Sequence, residues 1–189
     1  MAEKQLSGLK VAAITTDGVE QVELLEPKKA LENAGAQVLV VAPKTGKIQG
    51  FKHYDKADQI PVDLTLDQAD PFGFDAVLLP GGVINADALR MEKKAQEIVR
   101  QIDQRGNPIA VICHGGWLLV SAGLTRGHTM TSWPTLKDDI INSGAKWEDR
   151  EVVRDRNWVS SRKPDDIPAF NREMISLFSE ALQKRRKVA

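Results

Sequence analysis

Four short, nearly continuous apolar runs frame the chain: Leu9 to Ile14, Val38 to Ala42, Ala76 to Leu79 and Ile109 to Ile112. Each is too short for a helix and reads as a strand buried on both faces. The stretches between them carry a helical period. Val22, Leu25 and Leu31 fall on one stripe, which Gly35 stops after Asn33-Ala34. Ala95, Ile98, Val99 and Ile102 follow the i, i+3, i+4, i+7 spacing and Gly106 comes after them. An apolar helix pattern runs from Trp117 to Ala122 directly behind the Ile109 strand, and Leu136, Ile140 and Ile141 suggest a further helix closed by Asn142-Ser143-Gly144. Val152-Val153 and Trp158-Val159 flank Asp155-Arg156-Asn157, two strands meeting at a tight turn. Ile167, Phe170, Met174, Leu177, Phe178 and Ala181 make the last helical stripe. Pro164-Asp165-Asp166 stands where that helix starts, and negative charge there suits its dipole. Residues 46–62, with Gly46, Gly50 and alternation around Ile48 and Phe51, read as a small hairpin excursion. This stretch and 83–90, which should rim any pocket, are the least legible parts of the pattern.

Strand and helix alternating at this spacing mean βαβ units, and those mean an α/β fold with a mostly parallel sheet covered on both faces. With no internal repeat, low-complexity tract or linker, the expectation is one domain over residues 1–189, long enough for a sizeable core without staples. Composition agrees: 42% hydrophobic and 28% charged residues describe an ordinary globular chain. Lys plus Arg and Asp plus Glu each number 26, so no global field draws the chain to nucleic acid or an anionic membrane. The basic run Lys184-Arg185-Arg186-Lys187 reads as a helix C-terminus. Met1-Ala2-Glu3-Lys4-Gln5 has no signal-peptide pattern after it, and no run reaches the length of a membrane helix. One cysteine forbids an intramolecular disulfide and points to a reducing, cytoplasmic compartment.

That cysteine carries the chemistry. In Val111-Ile112-Cys113-His114-Gly115 a buried strand runs into a cysteine, a small residue two positions on, and a helix. This is the strand–turn–helix setting of a nucleophile elbow, with cysteine in the serine position. The sharp turn lifts the side chain above the carboxyl ends of the strands, Gly115 relieves crowding, and the helix points N–H groups at the sulfur, favouring thiolate. Pro80-Gly81-Gly82 ends the neighbouring strand, so the Gly82 and His114 N–H groups could hold an oxyanion. The loop after the first strand brings Glu20 and Glu23, three apart and on one face of a helical turn. A glutamate facing Cys113 raises the thiol pKa if ionised and lowers it if burial keeps it protonated; composition does not choose.

The three histidines, His53, His114 and His128, exclude several mechanisms. None lies after residue 128, so a triad amidotransferase or a hydrolase with a late histidine is out. No pair has zinc-ligand spacing and a single cysteine supplies no cluster; no metal or other cofactor is expected. His114 is the candidate base for Cys113, whereas His53 and His128 read as surface or core residues. Of the four tryptophans, Trp117 lies one turn past the elbow and should line the pocket; Trp133, Trp147 and Trp158 read as core or interface.

The segments DAVLLPGG (75–82), PIAVICHG (108–115), TSWPTLKDD (131–139), NSGAKW (142–147) and WVSSRKPDDIPAF (158–170) resemble the PfpI branch of the DJ-1/PfpI superfamily, in particular its stress-response and intracellular-protease members. The resemblance implies a flavodoxin-like three-layer sandwich and a homodimer, in some members stacked into hexamers. It implies that Cys113 is the nucleophile, His114 the histidine that follows it, Glu23 the glutamate hydrogen-bonded to the cysteine, and Glu20 a second acid. Gly82 and His114 match the positions whose amides form the oxyanion site. Gly116 stands where many relatives have proline. The acid of the protease triad comes from a partner subunit just after Pro-Gly-Gly, and the nearest one here is Asp87. The implied activity is cysteine-dependent hydrolysis, of a small electrophilic carbonyl adduct (glyoxalase or deglycase type) or of a peptide. The alternative is a redox sensor working through oxidation of Cys113.

Overall fold

The computed structural model describes residues 4–188. Met1 to Glu3, part of the N-terminal stretch read above, lie outside the described residues. The strands are β1 (Lys10–Ile14), β2 (Val19–Glu20), β3 (Gln37–Ala42), β4 (Lys47–Lys52), β5 (Asp55–Pro61), β6 (Leu64–Thr65), β7 (Ala76–Leu79), β8 (Ile109–Ile112), β9 (Thr129–Met130), β10 (Lys146–Trp147), β11 (Val152–Asp155) and β12 (Trp158–Ser161). The helices are α1 (Gln21–Asn33), α2 (Val83–Leu89), α3 (Lys93–Gln104), α4 (Gly116–Ser121), α5 (Lys137–Asn142) and α6 (Ile167–Val188).

A seven-stranded sheet in the order β11-β12-β8-β7-β1-β3-β6 forms the middle layer. All its pairings are parallel except β11 with β12, the edge hairpin that turns through Arg156 at φ 52°. Because side chains alternate along a strand, each strand feeds two cores. Val11 and Ala13 meet Leu24 and Leu31 of α1 and Phe170, Met174 and Phe178 of α6 on one face. Ala12 and Ile14 meet Ile98 and Val99 of α3 and Leu118 and Leu119 of α4 on the other. This is the flavodoxin-like three-layer arrangement with a mostly parallel sheet. Among the described residues no helix is long and apolar enough to cross a membrane.

Details depart from the pattern reading. The buried positions of α1 are Glu23, Leu24, Pro27 and Leu31, while Val22 and Leu25 pack only partly against the core. Ile141 is exposed and Ile140 alone of that pair is buried in α5. The hairpin expected at 46–62 is β4 with β5, docked on β2 as a small separate sheet. Helix α2 and the two-residue strands β2, β6, β9 and β10 have no counterpart in the sequence reading, being too short to show a period.

The architecture places three loops side by side. Strand β1 lies between β3 and β7, and β7 pairs with β8. The segments leaving the carboxyl ends of β1, β7 and β8 therefore meet in one crevice, the usual ligand position in an open parallel sheet.

Candidate active site

Cys113 leaves β8 at φ 60°, a left-handed conformation that a non-glycine residue adopts only when its surroundings enforce it. Residues Cys113–Gly115 make one 3-10 turn before α4 begins. The turn is possible because position 115 is glycine: a Cβ there would lie 2.6 Å from the Leu79 carbonyl oxygen. Gly81 is required for the same reason. A Cβ on it would meet Glu23 Oε2 at 2.4 Å and Cys113 Cβ at 2.6 Å. The chain leaves the loop through Gly82, at φ 90°.

The sulfur sits among donors. The backbone N–H groups of Gly82 and His114 are both directed at it. His114 Nδ1 lies 3.2 Å from Sγ. The imidazole is held between two tryptophans, edge-on to Trp117 with centroids 5.4 Å apart and stacked on Trp133 at 5.9 Å. Burial pushes its pKa down to about 4, so near neutrality it meets the sulfur uncharged. Trp117 is fixed in turn by a 2.7 Å hydrogen bond from Nε1 to Asp139 and by the Arg90 guanidinium over its ring. The helix end contributes less than expected, since α4 has only six residues; the two named N–H groups do its work.

Glu23 enters from the first turn of α1 and is fully buried. Its Oε2 accepts the Gly81 N–H at 2.9 Å, while Oε1 has no partner of ordinary geometry. Burial raises its pKa to about 8, against the opposing pull of the Cys113 and Gly81 hydrogen bonds and with the Glu20 charge adding to the rise. The thiol is coupled to it. Burial first, then the charge and hydrogen bond of an ionised Glu23, push Cys113 well above the ordinary thiol range, and the Gly82 and His114 amides pull it back. The two smaller upward causes need a carboxylate, and at neutral pH Glu23 holds its proton; the largest, burial, remains and is opposed by the two amides. A carboxyl protonated on Oε1 and donating to sulfur satisfies the orphaned oxygen. It also adds a donor to the two amides already aimed at Sγ. A site made of donors suits thiolate and not thiol. We therefore assign the pair at neutral pH as neutral Glu23 beside anionic Cys113, one proton shared between two sites.

A cleft of about 650 Å³ opens above the sulfur and includes Cys113, Glu23, Glu20 and Gly82 in its lining. Cys113 is only 6% exposed, but that exposure is into the cleft. The rim comes from the two illegible segments: Phe51, His53 and Tyr54 from the hairpin, Val83 and Ile84 from α2. Glu20 accepts the His53 N–H at 2.9 Å and so ties the hairpin tip to the mouth.

The structure thus brings together Cys113, His114, Glu23, Glu20, Gly81, Gly82, Gly115 and Trp117. Asp87, expected to serve a partner subunit's site and not its own, is exposed on the outer side of α2, opposite Asn85, Ala86 and Leu89. Helix geometry is the reason: the buried face of α2 is spent on the crevice, and residue 87 falls on the other one. Trp133 packs partly buried against both cores and also lines the cleft, where its backbone N–H bonds the Cys113 carbonyl at 3.3 Å. His53 reaches the rim, whereas His128 is buried with its ring stacked 3.8 Å over Trp158. Among the described residues no group of three or more His, Cys, Asp or Glu side chains is placed to hold a metal ion.

Comparison with known proteins agrees with this geometry. The DJ-1/PfpI family model matches residues 9–177. The chain belongs to the DJ-1/PfpI family. It is 43% identical over 169 residues to Deglycase PH1704 of Pyrococcus horikoshii, an alignment covering 89% of this chain and 99% of that one. It is 37% identical over 169 residues to Protein/nucleic acid deglycase 2 of Escherichia coli, covering 89% and 96%. It is 35% identical over 174 residues to General stress protein 18 of Bacillus subtilis, covering 92% and 99%. Among solved structures, Drosophila melanogaster DJ-1beta superposes with a TM-score of 0.83 at 26% identity, covering 95% of this chain and 96% of that one. This DJ-1/PfpI chain has its elbow cysteine, buried glutamate and Pro-Gly-Gly loop within the matched span.

Proposed function

We propose that this DJ-1/PfpI protein is a cysteine-dependent hydrolase of carbonyl adducts, of the glyoxalase or deglycase type, serving a stress response. The observation that carries the reading is the Cys113 sulfur under an open cleft, with two backbone amides and a proton-bearing Glu23 around it. With methylglyoxal as substrate, the sulfur adds to the aldehyde carbon and the C=O pair moves to oxygen. There the Gly82 and His114 N–H groups receive the charge, and the Glu23 proton completes a hemithioacetal. The Glu23 carboxylate then takes the C–H proton from the same carbon and returns it to the neighbouring one, while the hydroxyl proton passes to the former ketone oxygen, giving a thioester of lactate. Water cleaves the thioester and restores Cys113. Methylglyoxal plus water becomes lactate, with no oxidant or reductant. On an amine-borne adduct the sulfur displaces the amine, which leaves with a proton, and the later steps are the same.

The deglycase names of most of the relatives support this reading, while one relative, of Bacillus subtilis, is named a putative cysteine protease. We carry a homodimer, with higher assembly in reserve, as part of the proposal: Val83 and Ile84 at the cleft mouth are 52% and 57% exposed, surface that a second copy would cover. A reducing cytoplasm is the compartment that keeps such a thiol free.

The test is turnover of methylglyoxal and of a short-peptide panel by wild type and Cys113→Ala. The expected result is methylglyoxal consumption that falls at least about a hundredfold in the variant. Peptide cleavage instead would favour the peptidase. No turnover of either substrate by wild type would leave the redox-sensor reading and overturn this one.

A further inference from the structure

The loop that presents the oxyanion amides is itself held by one side chain to which neither the sequence pattern nor the mechanism above gives a part. Asn85, in the first turn of α2, is fully buried. Its carboxamide makes four hydrogen bonds. Oδ1 accepts the Thr16 N–H at 2.7 Å and the Thr15 hydroxyl at 3.1 Å. Nδ2 donates to the Pro80 carbonyl at 3.1 Å and the Gly81 carbonyl at 2.9 Å.

The two acceptors of Nδ2 are consecutive carbonyls, and that decides what the side chain does. No peptide bond in the described chain is cis, and in a trans peptide the C=O and the following N–H point in opposite directions. Fixing the Pro80 carbonyl therefore aims the Gly81 N–H the other way, where it bonds Glu23 Oε2 at 2.9 Å. Fixing the Gly81 carbonyl aims the Gly82 N–H away from Asn85, toward the side of Cys113, whose pKa it pulls down. One NH₂ group thus orients two successive peptide planes, one toward the proton carrier and one toward the nucleophile. A donor on each carbonyl also polarises the N–H across the same peptide. The other half of the carboxamide locks the assembly to the end of β1, so the loops after β1 and β7 move as one. Glycines at 81 and 82 give those planes no side chain of their own to brace them; besides Asn85, the Gly81 carbonyl accepts the Glu20 N–H at the longer distance of 3.3 Å.

We infer that Asn85 is a positioning residue for the reactive centre, setting the direction of the Gly81 and Gly82 N–H groups and through them the protonation of the Cys113–Glu23 pair. It rests on the reading of Cys113 as nucleophile, but its test needs no substrate.

The experiment follows the rate of Cys113 alkylation by iodoacetamide against pH in wild type, Asn85→Ala, Asn85→Ser and Thr15→Val. In Asn85→Ala the midpoint should move up and the rate at pH 7 fall about tenfold, the equivalent of a one-unit displacement. Asn85→Ser, whose hydroxyl can serve one carbonyl, should fall between. Thr15→Val removes an acceptor-side bond and keeps both donor bonds, so its profile should stay with wild type. Thermal unfolding of each variant accompanies the series. If Asn85→Ala does not fold, Asn85→Ser carries the test. A folded Asn85→Ala, or in its absence Asn85→Ser, whose profile superposes on wild type overturns the inference. So does a Thr15→Val profile displaced as far as that of Asn85→Ala, which would mean only general loosening. Failure of wild type to turn over any carbonyl substrate would count against the proposed function and leave these profiles to be read on their own.

Discussion

Glu23 is the residue on which the chemistry and the stability of this protein pull in opposite directions. Its folded pKa of about 8 stands above the ordinary glutamate value of 4.5. Raised in this way, it favours the folded state in its protonated form. Its contribution is fully present below about pH 4.5 and is lost as pH rises toward 8, because the unfolded chain releases the proton first. Glu23→Gln keeps the shape and the neutral state and removes that loss. Chemical denaturation should find the variant equal to wild type at pH 4 and more stable by roughly a few kcal/mol at pH 8, at the rate of 1.36 kcal/mol per unit of displacement. Equal stability at both pH values would mean that the carboxyl is not held protonated. Sequence placed Glu23 on a helix face beside Glu20, but it did not say which oxygen lacks a partner or that the side chain is sealed. Asn85 was less legible still. Its meaning lies in carbonyls four and five residues back and in Thr15 and Thr16, some seventy positions earlier in the chain.

At the scale of elements, the elbow is a turn that only a small residue permits. Gly115→Ala would set a Cβ 2.6 Å from the Leu79 oxygen and 3.0 Å from the Pro80 oxygen, both backbone atoms that cannot swing aside. The cost should be about 1–3 kcal/mol of stability, as for other overpacked sites. More tellingly, methylglyoxal turnover should fall by more than the loss of folded protein accounts for, since β7 and its Pro-Gly-Gly loop must shift away from Cys113. A variant with normal activity per folded molecule would contradict the close approach. The strands β1, β3, β7 and β8 were readable because each is buried on both faces and written in unbroken apolar residues. Helix α2 was not, because its seven residues mix exposed Val83 and Ile84 with buried Asn85, an inversion of the usual pattern. That inversion follows from its place at the cleft mouth. Trp133 packs against both cores, as its apolar character predicts, and its place in the cleft as well comes from the backbone bond to Cys113, which no pattern shows.

At the scale of the whole molecule, the sheet order makes the site. Glu23 follows β1, Gly81 and Gly82 follow β7, and Cys113 follows β8; these strands are neighbours in the sheet although their residues are spread over ninety positions of chain. None of these groups is reactive by composition. Together they put an acid that burial keeps protonated beside a sulfur that two backbone N–H groups favour as an anion. The most direct test of that claim is the pH dependence of Cys113 alkylation in wild type and Glu23→Gln. The account expects a wild-type midpoint below the value of about 8.5 for a free cysteine, displaced upward when the acid is replaced by the weaker amide donor. A midpoint at or above that value in both proteins would contradict it.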